Sequence, residues 1–258
     1  MQRSYSFSRA PQVDNFRKAF VGIFARALRQ SETLVFSDGN TFVRVLENLR
    51  GRNVFVVQSH VHNTNDQFME LLFYIDASKR ASASSVTAVI PYFGYGKADK
   101  KDEPRVSIRA RVCADALEAA GASRIVTLDL HAAQIQGFFK IPVDNLYGFP
   151  TLCDELRKLI DNDTVVVAGD TGFAEEARVF ADYLGFPLAI ADKKRTSHDE
   201  RAEFVDIIGD VEGRTAVLVD DFVVSGGTLT VVSQQEFWQL QPTAHCPLAR
   251  PAGSMTAQ

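Results

Sequence analysis

The sequence predicts an α/β fold with mainly parallel sheets flanked by helices. Three observations point there. Short β-rich runs alternate with longer stretches of helical period, the pattern of layered α/β domains. Several runs are near-continuous in Val, Ile and Leu, as strands covered on both faces require. Two runs end in acidic residues, IVTLDLH at Asp129 and His131 and TAVLVDD at Asp220 and Asp221. Open α/β sheets bind ligands beyond the carboxyl ends of their strands, so both ends are candidate sites.

Taken in order, strands are predicted over 33–36, 54–58, 87–90, 125–130, 165–168, 188–191 and 216–219. Between them, 64–83 carries Phe68, Leu71, Leu72 and Ile75 on one helical face, behind the cap candidates Asn63, Thr64, Asn65 and Asp66. A second helix over 107–120 stops at Gly121, and a third over 174–184 stops at Gly185. A boundary near 147–150 divides the chain into a first domain, 1–148, and a second, 149–236. The remainder, 237–258, has several prolines and no apolar period, and reads as an irregular tail.

Composition narrows the function. The chain has 258 residues, with 28 Lys and Arg against 32 Asp and Glu, a net charge of −4. That balance argues against bulk binding to nucleic acid. No run of apolar residues is long enough to span a membrane. Three well-separated cysteines, Cys113, Cys153 and Cys246, form no CxxC pair, so a reducing, cytoplasmic setting is expected.

Four segments carry chemistry. In VLVDDFVVSGGTL, a buried strand delivers Asp220 and Asp221 to a sheet edge, and Ser225, Gly226, Gly227 and Thr228 open a helix. Glycines let backbone N–H groups approach a phosphate, and paired acids suit sugar hydroxyls or the waters of a metal. The competing reading is a polar corner with a glycine-rich turn. In DLHAAQIQGFFKIPVD, Asp129 and His131 stand two apart, expected on one side of a strand end as a divalent-metal pair. A capping histidine with a structural aspartate is the bland alternative. YGKADKKDEPR offers Lys97, Lys100, Lys101 and Arg105 to a polyphosphate, or else forms a solvated loop. LAIADKKR runs a strand into Lys193, Lys194 and Arg195, cations of the kind that stabilise phosphoryl transfer when they are not solvated surface charge. The pair His60 and His62 reads as loop histidines rather than ligands, and there is no P-loop or GxGxxG motif.

Together FSDGN, NTND, IPYFGYGKADKK, TLDLHAAQIQGFFKIPVDNLYG, DKKR and VDDFVVSGGT resemble the ribose-phosphate pyrophosphokinase (phosphoribosyl pyrophosphate synthetase) family, over about residues 34–232. The resemblance implies two similar phosphoribosyltransferase-type domains, the second incomplete. It also implies transfer of the diphosphoryl group of Mg-ATP to the C1 hydroxyl of ribose 5-phosphate, with AMP leaving. By position, Phe36 and Asp38 would meet adenine across a subunit contact, and Lys97 and Asp99 would lie near ATP. His131 and Asp170 would hold Mg²⁺, with Asp129 and Asp144 in its outer shell. Lys193 and Arg195 would stabilise the transition state. Asp220 and Asp221 would take the ribose hydroxyls, and Ser225, Gly226, Gly227 and Thr228 the 5-phosphate. A homo-oligomer, dimer or hexamer, is implied as well.

The sequence departs from the family pattern at several positions. Asn40 replaces an acid, and Lys97-Ala98 stands for Arg-Gln. Lys140 sits where an acid is common, and Glu176 where a cation is usual. Asp170-Thr171-Gly172-Phe173 replaces an aspartate-glycine-glycine stretch, and Val224 replaces an aspartate. After the SGGT helix the family pattern continues, whereas this chain turns proline-rich, as a truncated or frameshifted reading frame would. Two other functions therefore stand beside the enzyme: a catalytically impaired regulatory or associated homologue, and a phosphoribosyltransferase that consumes the activated sugar.

Overall fold

The computed structural model describes residues 4–7, 31–61, 63–195 and 202–221, with the strand residues 4–7, 193–195 and 202–205 described by backbone alone. The chain divides into two compact units, 1–147 and 148–258.

The first unit is built on a five-stranded sheet. Its strands are β1 (Ser4–Phe7), β4 (Asn53–Val57), β5 (Ser85–Ile90), β6 (Arg124–Leu128) and β7 (Val143–Leu146), in the order β1-β4-β5-β6-β7, and every pairing is parallel. Alternation sorts their side chains. Val54, Val56, Val86, Ala88, Ile90 and Ile125 face a core shared with helices α1 (Thr64–Arg80) and α2 (Arg109–Ala120). Val57 and Val89, with Phe55 and Val126, form a smaller cluster on the other side. This two-sided burial explains why β5 ends in the unbroken apolar run Ala88, Val89 and Ile90.

The helices start and stop for local reasons. Phe68, Leu71, Tyr74, Ile75 and Ser78 make the buried stripe of α1. Asn63 occupies the cap position in the left-handed region, φ 51°, but its side chain makes no capping bond; the Thr64 hydroxyl instead donates to the His60 carbonyl. Helix α2 ends at Gly121, whose φ of 109° lets its N–H and that of Ala122 fold back onto Glu118 and Leu117.

A separate antiparallel hairpin, β2 (Ser31–Val35) and β3 (Thr41–Val45), precedes β4. The expected strand over 33–36 therefore joins no parallel sheet. The five residues 36–40 close it locally, with Phe36 N–H donating to the Asn40 carbonyl at 2.8 Å.

The second unit has a four-stranded sheet in the order β10-β9-β8-β11: β8 (Thr164–Ala168), β9 (Leu188–Arg195), β10 (Ala202–Ile208) and β11 (Thr215–Val219). β9, β8 and β11 are mutually parallel, and β10 returns antiparallel to β9. Central β8 is buried throughout. Val165 and Val167 face one cluster with Ala189 and Ala191, while Val166 and Ala168 face Ala177 and Ala181 of helix α4 (Ala174–Leu184). Helix α3 (Phe149–Leu156) opens the unit with Pro150 in its first turn, and Phe149 meets Phe180 and Tyr183 edge-on at 5.8 Å each. The expected irregular tail, 237–258, lies outside the described residues.

Candidate functional site

In the first unit, three loops leave the carboxyl ends of β4, β5 and β6. The loop after β5 is drawn tightly onto its neighbours. A Cβ on Gly94 would fall 2.6 Å from the Thr64 methyl and 2.8 Å from the His60 Cβ, so only glycine fits there. Two residues on, a Cβ at Gly96 would lie 3.7 Å from the His131 Cβ and 3.9 Å from Ile135. The turn that carries Lys97 and Asp99 therefore sits directly against the DLH turn. Lys97 is exposed, Asp99 half-buried, and Ala98 buried with its carbonyl accepting from the Ala110 N–H at 3.2 Å.

The DLH turn is not the strand end that the sequence suggests. β6 stops at Leu128, and Asp129 takes a left-handed conformation, φ 46°, so strict alternation does not place Asp129 and His131. The turn is held by the neighbouring strand. Asp129 N–H donates to the Leu146 carbonyl at 2.9 Å, and Leu130 N–H to Asn145 Oδ1 at 3.1 Å. Sequence reasoning passed over Asn145; its signal is an amide beside Asp144 in a strand that follows the turn in space. Both Asp129 and His131 are exposed at the end of the sheet. Asp144 sits elsewhere. It pairs in register with Val126, three residues and about 10 Å before Asp129, and its carboxylate accepts from Arg124 at the other end of β6.

Mg²⁺ keeps several waters and takes one or two carboxylates plus substrate phosphates, so it needs no protein cage. An exposed carboxylate and imidazole at one turn, with a cationic turn beside them, fit a metal that arrives on a polyphosphate. Among the described residues, no group of three His, Cys, Asp or Glu stands ready to hold a metal alone.

Phe36 and Asp38 occupy the hairpin tip. Asp38 Oδ1 accepts from the Asn40 N–H at 3.0 Å, and the Phe36 ring, half-exposed, lies 6.4 Å from that of Phe42. Leu34, Val35 and Leu46 are exposed beside it, a run of apolar surface on one small element.

The second unit gathers acids. Gly169 N–H donates to the Val219 carbonyl, which ties the ends of β8 and β11 together and brings Asp170 toward Asp220 and Asp221. Asp170 Oδ1 also accepts from the Phe173 N–H at 3.1 Å and so caps the short turn Thr171–Phe173. Burial pushes the Asp220 carboxyl up to about 6, and the charges of Asp221 and Asp170 add to the effect. β9 runs past its last pairing with β8, at Ile190, and carries the Lys193 and Arg195 backbone onto an arm opposite Phe204 and Ala202. Glu176, the reversed charge, stands in the first turn of α4, where the helix dipole favours an acid. Ser225, Gly226, Gly227, Thr228 and Val224 lie outside the described residues, as do His62 and Cys246. His60, expected in a loop, does lie in the loop after β4, and that loop is fully buried there, against the Phe68 and Phe93 rings.

Residues 15–121 match a family model described as the N-terminal domain of ribose phosphate pyrophosphokinase, and residues 149–235 one described as a phosphoribosyl transferase domain. A ribose-phosphate pyrophosphokinase of Wolinella succinogenes is 49% identical over 199 residues, 77% of this chain and 64% of that protein. One from Ralstonia nicotianae is 50% identical over 200 residues, 77% of this chain and 63% of the relative. The chain thus spans just under two thirds of the length of these curated relatives. The crystal structure of phosphoribosylpyrophosphate synthetase from Mycobacterium smegmatis superposes with a TM-score of 0.80 at 37% identity, over 90% of this chain and 74% of that one. By these matches the chain belongs to the ribose-phosphate pyrophosphokinase family.

Proposed function

We propose that the chain is a ribose-phosphate diphosphokinase. In this reading the C1 hydroxyl oxygen of ribose 5-phosphate bonds to the β-phosphorus of ATP. The bond from that phosphorus to the α,β-bridging oxygen breaks, AMP leaves, and the hydroxyl proton goes to solvent. Mg²⁺ bound to the ATP phosphates would spread their charge in the transition state. Asp220 and Asp221 accept hydrogen bonds from the ribose hydroxyls, and Ser225, Gly226, Gly227 and Thr228 hold the 5-phosphate. Lys193 and Arg195 face the charge that develops on the transferring group. Phe36 and Asp38 receive adenine, Lys97 and Asp99 the polyphosphate, and His131, Asp129 and Asp170 the metal. Asp144 is engaged by Arg124, so its part is the weakest in the set.

One observation carries the reading: the turn of Lys97 rests against the DLH turn at Gly96 and His131. A transferase that merely consumes the activated sugar needs the acids and the glycine loop but no second cation-and-metal turn. The experiment is AMP release from ATP and ribose 5-phosphate with Mg²⁺ on the purified chain. AMP formed together with phosphoribosyl diphosphate is the expected result, and no release above background overturns the activity.

Ala98 favours a second reading. The family carries a glutamine there, whereas this buried methyl offers no polar group. A regulatory homologue would bind nucleotide without turnover and change the rate of an active synthetase on mixing. The same proposal takes 1–148 and 149–236 as the domains, with 237–258 outside them. It takes the chain as a cytoplasmic homo-oligomer, dimer or hexamer, to which the exposed apolar hairpin lends support.

A further inference from the structure

The β2–β3 hairpin is fastened to its unit through a buried carboxylate. Glu70, on α1, is buried, and both of its oxygens are engaged. Oε1 accepts from the Thr33 hydroxyl of β2 at 2.8 Å, and Oε2 from the Gln58 amide, just past β4, at 3.4 Å. Tyr74, one turn along α1, brings its hydroxyl to 2.7 Å from Thr33 Oγ1 and 3.2 Å from Ser31 Oγ. Thr33 gives its only proton to the carboxylate, so the single Tyr74 proton is shared between the two hairpin oxygens, Thr33 Oγ1 and Ser31 Oγ. Two residues of the hairpin, two of α1 and the end of β4 thus share one network.

Packing does not call for this network. Val43 and Val45 of β3 already lie against the main core, and apolar contact is non-directional. A carboxylate is costly to bury unless its oxygens are bonded, and those bonds hold only in a narrow range of distance and angle. What the network adds is direction. It fixes the base of the hairpin against α1, and so fixes where the tip stands, with Phe36 half-exposed and Asp38 braced by the Asn40 N–H.

We propose that Glu70 is a positioning residue for nucleobase recognition: it anchors the hairpin so that Phe36 and Asp38 are presented in one orientation to the adenine of ATP. The ligand's identity rests on the reading given above; the anchoring rests on the hydrogen bonds alone. Two measurements separate them. The first is amide hydrogen exchange without ligand, comparing the hairpin with β4, β5 and β6. Glu70→Ala speeds exchange of the hairpin by about tenfold, the scale of one lost hydrogen bond to a charged group, and leaves the three strands unchanged. Glu70→Gln, which keeps an oxygen for Thr33 and can pair with a turned Gln58 amide, restores the slow exchange. Thr33→Val, which removes one hydroxyl at nearly constant volume, gives the same direction of change should Glu70→Ala fail to fold. The second measurement is ATP affinity and steady-state kinetics. Glu70→Ala raises the KM for ATP about tenfold while kcat and the KM for ribose 5-phosphate stay within about twofold. Unchanged hairpin exchange in Glu70→Ala and Thr33→Val overturns the anchoring. Faster exchange with unaltered ATP affinity, or equal rises in both KM values, overturns the role in nucleobase positioning. An unsubstituted chain that binds no ATP overturns the functional reading and with it that role, while the exchange result still decides the anchoring.

Discussion

His60 shows what burial does to a single side chain. Its ring is enclosed by Phe68 and Phe93, and Nδ1 accepts from the Gly94 N–H at 3.4 Å. Nε2 has no hydrogen-bond partner among the described residues. Burial holds the imidazole down at about 4, from an ordinary 6.5. The unfolded chain therefore takes up a proton that the folded chain refuses between those values. Stability is complete above about 6.5 and falls as the pH drops toward about 4, by about 1.4 kcal/mol per pH unit. His60→Gln should flatten that slope; denaturant midpoints at pH 7.5, 6 and 5 measure it, and an unchanged slope would refute the assignment. Cys113, pushed by burial up to about 11, should stay unmodified by iodoacetamide until the unit unfolds. Within the proposed reaction, Lys193→Ala should lower kcat by about a hundredfold with little change in KM, because a cation aimed at developing charge acts on the transition state. A rise in KM at constant kcat would contradict that part. At this scale the sequence disclosed that acids stand just beyond the ends of β6 and β11, but neither the burial of His60 nor the partnership of Asp144 with Arg124, because both are set by chain segments distant in sequence.

Among the elements, the parallel strands were the most legible. Burial on both faces selects unbroken Val, Ile and Leu, as in β8. Helix α4 was equally plain, since its apolar face and its closing Gly185 are both local. β1, β3, β7, β10 and α3 were not foreseen. β3 carries Arg44 facing Glu32 across the hairpin, β7 sets adjacent Asp144 and Asn145 between Val143 and Leu146, and α3 is only 8 residues long with a proline in its first turn. Each draws its stability from a partner element rather than from its own composition. The end of α2 gives the test proper to this scale. Gly121→Ala forces an L-residue to φ 109° and sets a new Cβ 3.2 Å from the Lys79 side chain. The loss should be about 1–2 kcal/mol, read as a lower denaturant midpoint at unchanged m-value.

For the whole molecule, each unit carries its own sheet and core, and among the described residues no strand is shared between them. Acid should therefore be felt by the first unit first. Hydrogen exchange at pH 5 is expected to rise in β4, β5 and β6 before β8, and simultaneous loss in both would disprove independent cores. The repetition was visible in the sequence as two strands that end in acids, because the same edge of the same kind of sheet is used twice. How the acids of each edge are held was not visible. In one unit they crowd, and burial raises Asp220; in the other they are spread over a turn braced by a neighbouring strand.

The left-handed backbone of Asp129 has a consequence for how this turn can change over time. Among residues other than glycine, aspartate and asparagine are the ones that adopt that conformation most readily. Shape is thus one requirement on this side chain, and charge, in the proposed reaction, is a second. Asp129→Asn discards the charge and keeps the shape, whereas Asp129→Ala disturbs both. The first variant should keep wild-type thermal stability while its Mg²⁺ requirement rises; the second should lose both stability and metal response. A lineage that abandoned the proposed chemistry could drift to asparagine here and still keep the left-handed shape of the turn.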